Sequence, residues 1–454
     1  MIKIFTVLTS LIFPLLTIAQ QNNMQLLFNW IDDGSIINIE EDPGNNWVGN
    51  VYNEVWGFVQ NGHEFAVIGS TQGTHIFDVT DPENSLIVAS INGGSTSPQV
   101  VHRDFHTYEG YLYAVADEMN SSTLQITDLR NLPNSFNVVY DSNDLITRSH
   151  NIFIDESNAI MYSCGGKING SLNNLSLISL DDPENPVLIS QYNSHGYVHD
   201  IFVKNNIGYL NCAENGFHIV DFSQPSSPIT LGSLTEYPYK GYNHSGWLSE
   251  NDIYVFADEN HGYKLKVCDV SNVNDIQVLS TILSEVDENS IAHNIIINEN
   301  LLYVSHYYDG LWVWDISDPQ NIAYVTSYDT YPLENGNSYK GAWGVYPFLP
   351  SGNILVSDMQ FGLFVLSPPN LSSLSETLTS IELYPNPVYE ELVVKTKIKD
   401  LKTIVIHDIF GKVYFTEKSI ETELRVNTNN FLNGVYFVKI YNKDSVESVK
   451  MIKI

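Results

Sequence analysis

The stretch "AHNIIINENLLYVSHYYDGLWVWDISDP", Ala292 to Pro319, holds one full statement of a phrase that the chain repeats. A histidine and an asparagine lead into an aliphatic strand; an alternating strand, "LLYVS", follows; a glycine-bearing turn, "YYDG", precedes the closing phrase "WVWDISDP". Short alternating runs of β-branched and aromatic residues bounded by Gly, Asn, Asp and Pro read as strands joined by tight turns. The closing phrase has counterparts in "IFDVTDP" (Ile76 to Pro82), "LQITDLRN" (Leu124 to Asn131), "SLISLDDP" (Ser176 to Pro183), "HIVDFSQP" (His218 to Pro225), "KVCDVSN" (Lys266 to Asn272) and "LFVLSPP" (Leu363 to Pro369). Seven repeats of roughly 48 residues, each rich in short strands and without a helical period of apolar residues, match propeller blades of four strands. The expected fold is therefore all-β, a seven-bladed β-propeller. A parallel β-helix has much shorter rungs, and a solenoid of helical pairs conflicts with the strand chemistry.

The 454-residue chain is 43% hydrophobic and 12% aromatic, which places it among globular proteins. At its start Lys3 precedes an apolar run from Phe5 to Ala19, and "TIA" stands before Gln20 like a small-residue cleavage site. Residues 1–19 read as a secretory signal peptide, since the run is too short for a membrane anchor and Pro14 interrupts it. No later segment is apolar enough to form a transmembrane helix. Residues 1–370 carry 42 Asp and Glu against 10 Lys and Arg, whereas residues 371–454 carry 11 of each. So acidic a field disfavours nucleic acid and anionic membranes and favours cations or simple solubility. Cys164, Cys212 and Cys268 form neither a disulfide framework nor a zinc spacing, and read as small buried hydrophobes.

Aligning the repeats brings Glu54, His102, His150, His199, His244, His293 and Gly341 into line, at spacings of 48, 48, 49, 45, 49 and 48. The position immediately precedes the first strand of each repeat, which a propeller places innermost, so these histidines are expected to converge on the axis. Imidazole is the commonest metal-binding side chain. A divalent transition metal held by His150, His199, His244, His293 and His102, with Glu54 as a further ligand or its partner, is one expectation. The other is structural, each histidine capping its turn or bonding to the neighbouring blade. Asp117, Glu118, Glu214, Asp258, Glu259, Asp309 and Asp358 follow second strands and read as turn residues. No G-x-S-x-G, C-x-x-C, zincin or calcium-loop motif occurs, and Ser245 beside His244 makes no catalytic pair by adjacency alone.

The runs "YNEVWGF" (Tyr52 to Phe58), "HRDFHTYEGYLYAVADE" (His102 to Glu118), "SHNIFID" (Ser149 to Asp155), "YVHDIFV" (Tyr197 to Val203), "HSGWLSENDIYVFADEN" (His244 to Asn260) and "GAWGVYPFLPSGNILVSDMQFGLFVLSP" (Gly341 to Pro368), together with the opening stretch, resemble the choice-of-anchor B family of LVIVD-type propeller repeats. The resemblance covers about residues 25–370. Trp56, Arg103 with Asp104, His150 with Asn151, His199 with Asp200, His244 with Gly246 and Trp247, His293 with Asn294, and Trp343 stand at its signature positions, while His102 replaces an aromatic. It implies fold and export, and brings no activity with it.

After a Ser/Thr-rich linker, residues 371–380, come "IELYPNPVYEELVV" (Ile381 to Val394), "IVIHDIFGKVYF" (Ile404 to Phe415), "LNGVYFVKI" (Leu432 to Ile440) and "VKMIKI" (Val449 to Ile454). By composition residues 381–454 form a small C-terminal β-sandwich. Tyr384, Pro385, Asn386, Pro387, Gly411, Lys412 and Gly434 carry a resemblance to the type A C-terminal sorting domain of the type IX secretion system. That resemblance implies engagement of the secretion machinery, passage through the periplasm and across the outer membrane, and a propeller (residues 20–370) left at the cell surface or released. Two functions are then expected: a binding or scaffold propeller for a cell-surface, glycan or protein ligand, or a metalloenzyme with its metal on the axial histidines.

Overall fold

The computed structural model describes residues 24–32, 49–284, 286–369, 381–396, 398–408, 412–441 and 446–454; the expected signal peptide and linker lie outside them. The chain divides into two compact units between Pro369 and Asn370. Among the described residues it contains no α-helix, only two 3₁₀ turns, and many small antiparallel sheets.

In the first unit the sheets follow the chain as meanders. Sheets 1 to 6 run from Tyr52–Gln60 to Leu86–Asn92, Arg103–Tyr108 to Asn137–Ser142, Asn151–Asp155 to Val187–Tyr192, Asp200–Lys204 to Ile229–Leu234, Asn243–Leu248 to Gln277–Ile282, and Ile295–Asn298 to Ala323–Tyr328. Sheet 3 gains a short extra strand, Ile146–Arg148. Sheet 7 takes three strands from the end of the unit, Ala342–Tyr346, Ile354–Asp358 and Gly362–Leu366, and its fourth from the beginning: Leu26–Trp30 pairs with Gly362–Leu366, Leu26 opposite Leu366 and Trp30 opposite Leu363. The first strand of each sheet touches the first strand of the next, and Ala342–Tyr346 touches Tyr52–Gln60, so the arrangement is closed and propeller-like.

Local chemistry explains the meander. First and second strands meet at pairs such as Asn61-Gly62, Glu109-Gly110 and Asn205-Asn206, all with positive φ, as the hairpin turns that match strand twist require. Between second and third strands Gly310 has φ 75°, and a Cβ there would lie 2.2 Å from the Tyr328 carbonyl, so only glycine fits. After the third strand an Asp side chain accepts from the backbone N–H two residues on: Asp221 from Ser223 at 2.7 Å, Asp269 from Ser271 at 2.9 Å, Asp315 from Ser317 at 2.8 Å. In the "DP.N" turns Asp81, Asp182 and Asp318 then accept from Asn84, Asn185 and Asn321 at 2.9, 3.0 and 3.0 Å. The repeated closing phrase is thus a strand and the turn that stops it. A bulge recurs between third and fourth strands in sheets 1 to 6, twisting each outer strand away from its sheet.

Burial falls outward. The second strand of sheet 5, Ile253–Asp258, is wholly buried, whereas its fourth, Gln277–Ile282, is half exposed. All three cysteines are buried and unpaired, as expected. Sheet 5 also buries an ion pair: Lys266 Nζ donates to Asp258 Oδ2 at 2.5 Å and to the Tyr239 carbonyl at 2.6 Å.

In the second unit Ile381–Tyr384, Glu391–Thr396 and Glu423–Asn427 form one sheet, and Val413–Ser419, Lys402–Asp408, Gly434–Tyr441 and Val446–Lys453 another. One apolar cluster draws on both, including Leu392, Val394, Ile404, Val438 and Met451. Asn386 Oδ1 accepts from the Ile452 N–H at 2.8 Å, and Asp408 Oδ1 from the Lys412 N–H at 3.0 Å, so two of the motif residues hold turns in place. Gly411 lies outside the described residues.

Two stability predictions follow from this packing. Lys266→Ala leaves Asp258 charged and buried, and is expected to cost about 3–5 kcal/mol in chemical denaturation; a loss below 1 kcal/mol would show that the pair is not sealed from water. His306 is fully buried, and burial lowers its pKa to about 3. Its folded value lies below the unfolded one, so the unfolded chain takes up a proton first and stability is lost as pH falls below about 6.5. The stability of the wild type relative to His306→Gln should therefore drop by ~2 kcal/mol between pH 7 and pH 5; a difference independent of pH would refute the assignment.

Candidate functional site

The head of each first strand faces the axis. There the rings of His102, His150, His199, His244, His293 and Trp343 form a closed circuit, with successive centroids 5.4, 4.2, 4.1, 4.6, 3.9 and, from Trp343 back to His102, 5.2 Å apart. The five aligned histidines do converge. The two outer members of the alignment do not join them. Glu54 lies among the carboxylates and amides of the next level, and the place assigned to Gly341 is taken by Trp343. Pairing in these two first strands is irregular between Tyr52 and Val55 and between Ala342 and Val345, as it is between Asn243 and Ser245 in sheet 5. In sheet 2 Arg103 turns away, its Nε donating to the Ser70 carbonyl at 2.7 Å and its terminal nitrogen to the Ser95 carbonyl at 2.8 Å, and His102 supplies the imidazole instead.

Hydrogen bonds set the tautomers. His199 Nδ1 lies 3.1 Å from the His244 carbonyl, and His293 Nδ1 lies 2.7 Å from the Trp343 carbonyl. A carbonyl can only accept, so Nδ1 carries the proton in both and Nε2 keeps a lone pair. His150 Nδ1 meets Asp117 Oδ2 at 3.0 Å, and His102 Nδ1 meets Glu118. His244 Nε2 is 3.6 Å from Glu259 Oε2. His199, His244 and Glu259 each present one ligand atom, and these atoms lie within 4.8 Å of one another. Burial, reinforced by the neighbouring imidazoles, lowers the pKa of His199 and His244 well below the usual range; burial does the same to His293. Burial would lower His150 too, but its bond to Asp117 and the carboxylates of Glu118 and Glu259 raise it. Burial pushes Glu259 up to about 7, although the Tyr307 hydroxyl donates to it at 2.5 Å.

One level along the axis stand Glu54, Asp104, Asn151, Asp200 and Asn294. Asn294 Nδ2 donates to Glu54 at 2.5 Å, Asn151 Nδ2 to Asp200 at 2.8 Å, and the Ile152 N–H to Asp104 at 2.6 Å. Burial, then neighbouring carboxylates, raises Glu54 well above its usual range; burial raises Asp104 to about 7 and Asp200 to about 6. The space between this level and the imidazoles is ≈ 20 Å³, room for one water or one ion.

Sequence reading found the histidines and Glu54, and the family resemblance marked Asp104, Asn151, Asp200, Asn294 and Trp343; what it left out is the acidic residues after the second strands. Asp117, Glu118 and Glu259 pass as turn residues, although their turns return the chain to the axis beside the imidazoles. Asp309 and Asp358 do serve turns, bonded to Ser284 and to the Gln360 and Phe361 N–H groups, and Glu214 is exposed. Ser245 Oγ donates to the His293 carbonyl at 2.5 Å, which commits it to structure.

Two family models match parts of this chain. The LVIVD repeat matches residues 195–236 and 290–330, and the secretion system C-terminal sorting domain matches residues 382–454. No curated protein matches the chain in sequence. Among solved structures, PorZ, a surface component of the type-IX secretion system of Porphyromonas gingivalis, is 13% identical with a TM-score of 0.35; the match covers 86% of this chain and 64% of PorZ. The computationally designed protein Ika8 is 10% identical, covering 70% of this chain and 96% of Ika8 at a TM-score of 0.43. A Lactobacillus plantarum protein is 12% identical, covering 81% of this chain and 96% of its own at 0.48. The chain thus carries LVIVD repeats and ends in a type IX secretion system sorting domain, which directs it to the cell surface or the extracellular space.

Proposed function

We propose that this is a seven-bladed β-propeller with a C-terminal β-sandwich, whose axial imidazoles hold a divalent transition metal and whose mature propeller acts outside the cell as a binding protein. Residues 1–19 are removed as the signal peptide, 371–380 are the linker, and 381–454 engage the secretion machinery. Seven sheets and the contact between the last first-strand and the first support the blade count. Two sheets sharing one apolar cluster support the sandwich.

The observation that carries the metal reading is the direction of the imidazole protons. Nδ1 of His199 and of His293 is spent on a backbone carbonyl outside the axis, which leaves Nε2 as the lone-pair atom; backbone bonds of this kind orient metal-ligating histidines. Glu259 adds a carboxylate within reach of His199 and His244. Nitrogen and oxygen donors in this mixture suit zinc, iron, nickel or copper. His102, His150 and His293 complete the circuit around the site, and Glu54 faces it from the level below. Catalysis has less behind it, because ≈ 20 Å³ admits an ion or a water and no larger reactant. The propeller's partner is then a glycan or protein met by its outer loops, and its acidic surface repels nucleic acid.

The secreted protein, purified without chelator or a metal-binding tag, should contain near-stoichiometric transition metal by elemental analysis. Glu259→Gln is expected to weaken retention 10–100-fold, and His199→Gln with His244→Gln to abolish it, with near-ultraviolet circular dichroism unchanged. A folded, metal-free wild type would sink the reading. Metal added to stripped protein at 100 times its Kd should stabilise it by about 2.7 kcal/mol, and equal stabilisation of the double variant would place binding elsewhere.

A further inference from the structure

At the end of the axial channel remote from the imidazoles the first strands present aromatic rings. Trp56 contacts His106 at 4.4 Å between centroids, His106 contacts Phe153 at 5.4 Å, Phe153 contacts Phe202 at 5.3 Å, and Phe202 contacts Trp247 at 4.8 Å. Phe348 and Tyr346 complete the circle, Trp247 to Phe348 at 5.8 Å, Phe348 to Tyr346 at 5.4 Å and Tyr346 to Trp56 at 5.0 Å. Six of these seven rings, all but Phe202, line an open basin of ≈ 330 Å³ together with Asp155, Glu156, Ser157, Lys204 and Asn205. Trp56, His106, Phe153 and Trp247 also wall the narrower cavity behind it, ≈ 70 Å³, whose floor is Glu54, Asp104 and Asp200. A funnel walled largely by aromatic rings therefore ends on three carboxylates, those of Glu54, Asp104 and Asp200.

We infer that this funnel binds an alkylammonium group, its charge against Glu54, Asp104 and Asp200 and its carbon chain within the aromatic collar. A hydrated metal ion gains nothing from a collar of aromatic faces, and a neutral apolar ligand gains nothing from three carboxylates. An organic cation uses both, since aromatic faces attract cations once water is displaced. The carboxylates share one small volume, and a bound positive charge offsets the repulsion among them. The amide oxygens of Asn151 and Asn294 and the hydroxyl of Ser245, at the same level, can accept from the remaining ammonium hydrogens. The ammonium could come from a free amine or from a lysine side chain of a partner protein, and the collar's chemistry is the same for both. Glu54 and Asp104 also line the space beside the imidazoles, so this site shares the carboxylate level with the metal reading and approaches it from the aromatic side.

Trp56 and Trp247 line the funnel, so binding can be followed by their fluorescence and by calorimetry on the secreted protein. The probes are n-butylamine, the neutral 1-butanol, and Nα-acetyl-lysine methylamide as the side-chain form. Both amines are expected to saturate, at least tenfold tighter than the alcohol; saturation by butylamine alone would identify a free amine as the source. Asp104→Asn with Asp200→Asn should weaken butylamine at least tenfold. Trp247→Ala should weaken it severalfold while the metal content measured on the same sample stays as in the wild type. Equal affinity for amine and alcohol, no saturation by either amine, or saturation by calcium or magnesium in place of amines would overturn the inference.

Discussion

Bringing the first strands of successive sheets together around one axis leaves each of them with an open edge and no room for another strand. Carbonyls at the strand heads then need donors, because a buried, unpaired carbonyl is costly. Side chains of neighbouring sheets supply them: His199 to the His244 carbonyl, Ser245 to that of His293, and His293 together with Ser305 to that of Trp343. A histidine suits the task because it is flat enough to stack with its neighbours, carries one donor for the next sheet, and retains a second nitrogen. The structural and the chemical explanations for the recurring histidine are therefore two ends of one imidazole. Nδ1 ties the sheets together and Nε2 is left for chemistry.

Much of this was legible in the sequence. The seven closing phrases lie on third strands, six of them running into turns that hold an Asp, and the glycines before them occupy positive-φ turn positions, because these features depend only on neighbours in sequence. The histidines were legible through their period. Glu54, expected as a further ligand or its partner, lines the space beside the imidazoles from the carboxylate level, and Trp343, two residues past the aligned Gly341, closes the ring. Glu259 and Asp117 resemble any acidic turn residue, and only the return of their turns to the axis separates them from Asp309 and Asp358. The aromatic collar was hidden more thoroughly. Six of the first strands contribute one ring each, at positions where an aromatic is indistinguishable from ordinary core, and Phe348 stands beyond the end of Ala342–Tyr346.

The acidic surplus of residues 1–370 is not only a surface property. Glu54, Asp104, Asp200 and Glu259 carry it into the axis, where burial raises their pKa values, Asp104 and Glu259 to about 7 and Asp200 to about 6. Such an axis tolerates protons, metal ions or ammonium groups and disfavours anions. The surface field and the interior thus select the same sign of ligand, the first by steering and the second by desolvation.

The pairing of Leu26–Trp30 with Gly362–Leu366 makes sheet 7 a seam between the two ends of the first unit. The strands are antiparallel and Leu26 lies opposite Leu366, so the chain leaves the pair at one and the same end in both directions. Traction between those two exits loads the hydrogen bonds one after another, as in opening a zipper, whereas a parallel pair would resist with all of them at once. Tension between the two ends of the unit would therefore peel Leu26–Trp30 from sheet 7 bond by bond, leaving that sheet with three strands and the circle without its seam.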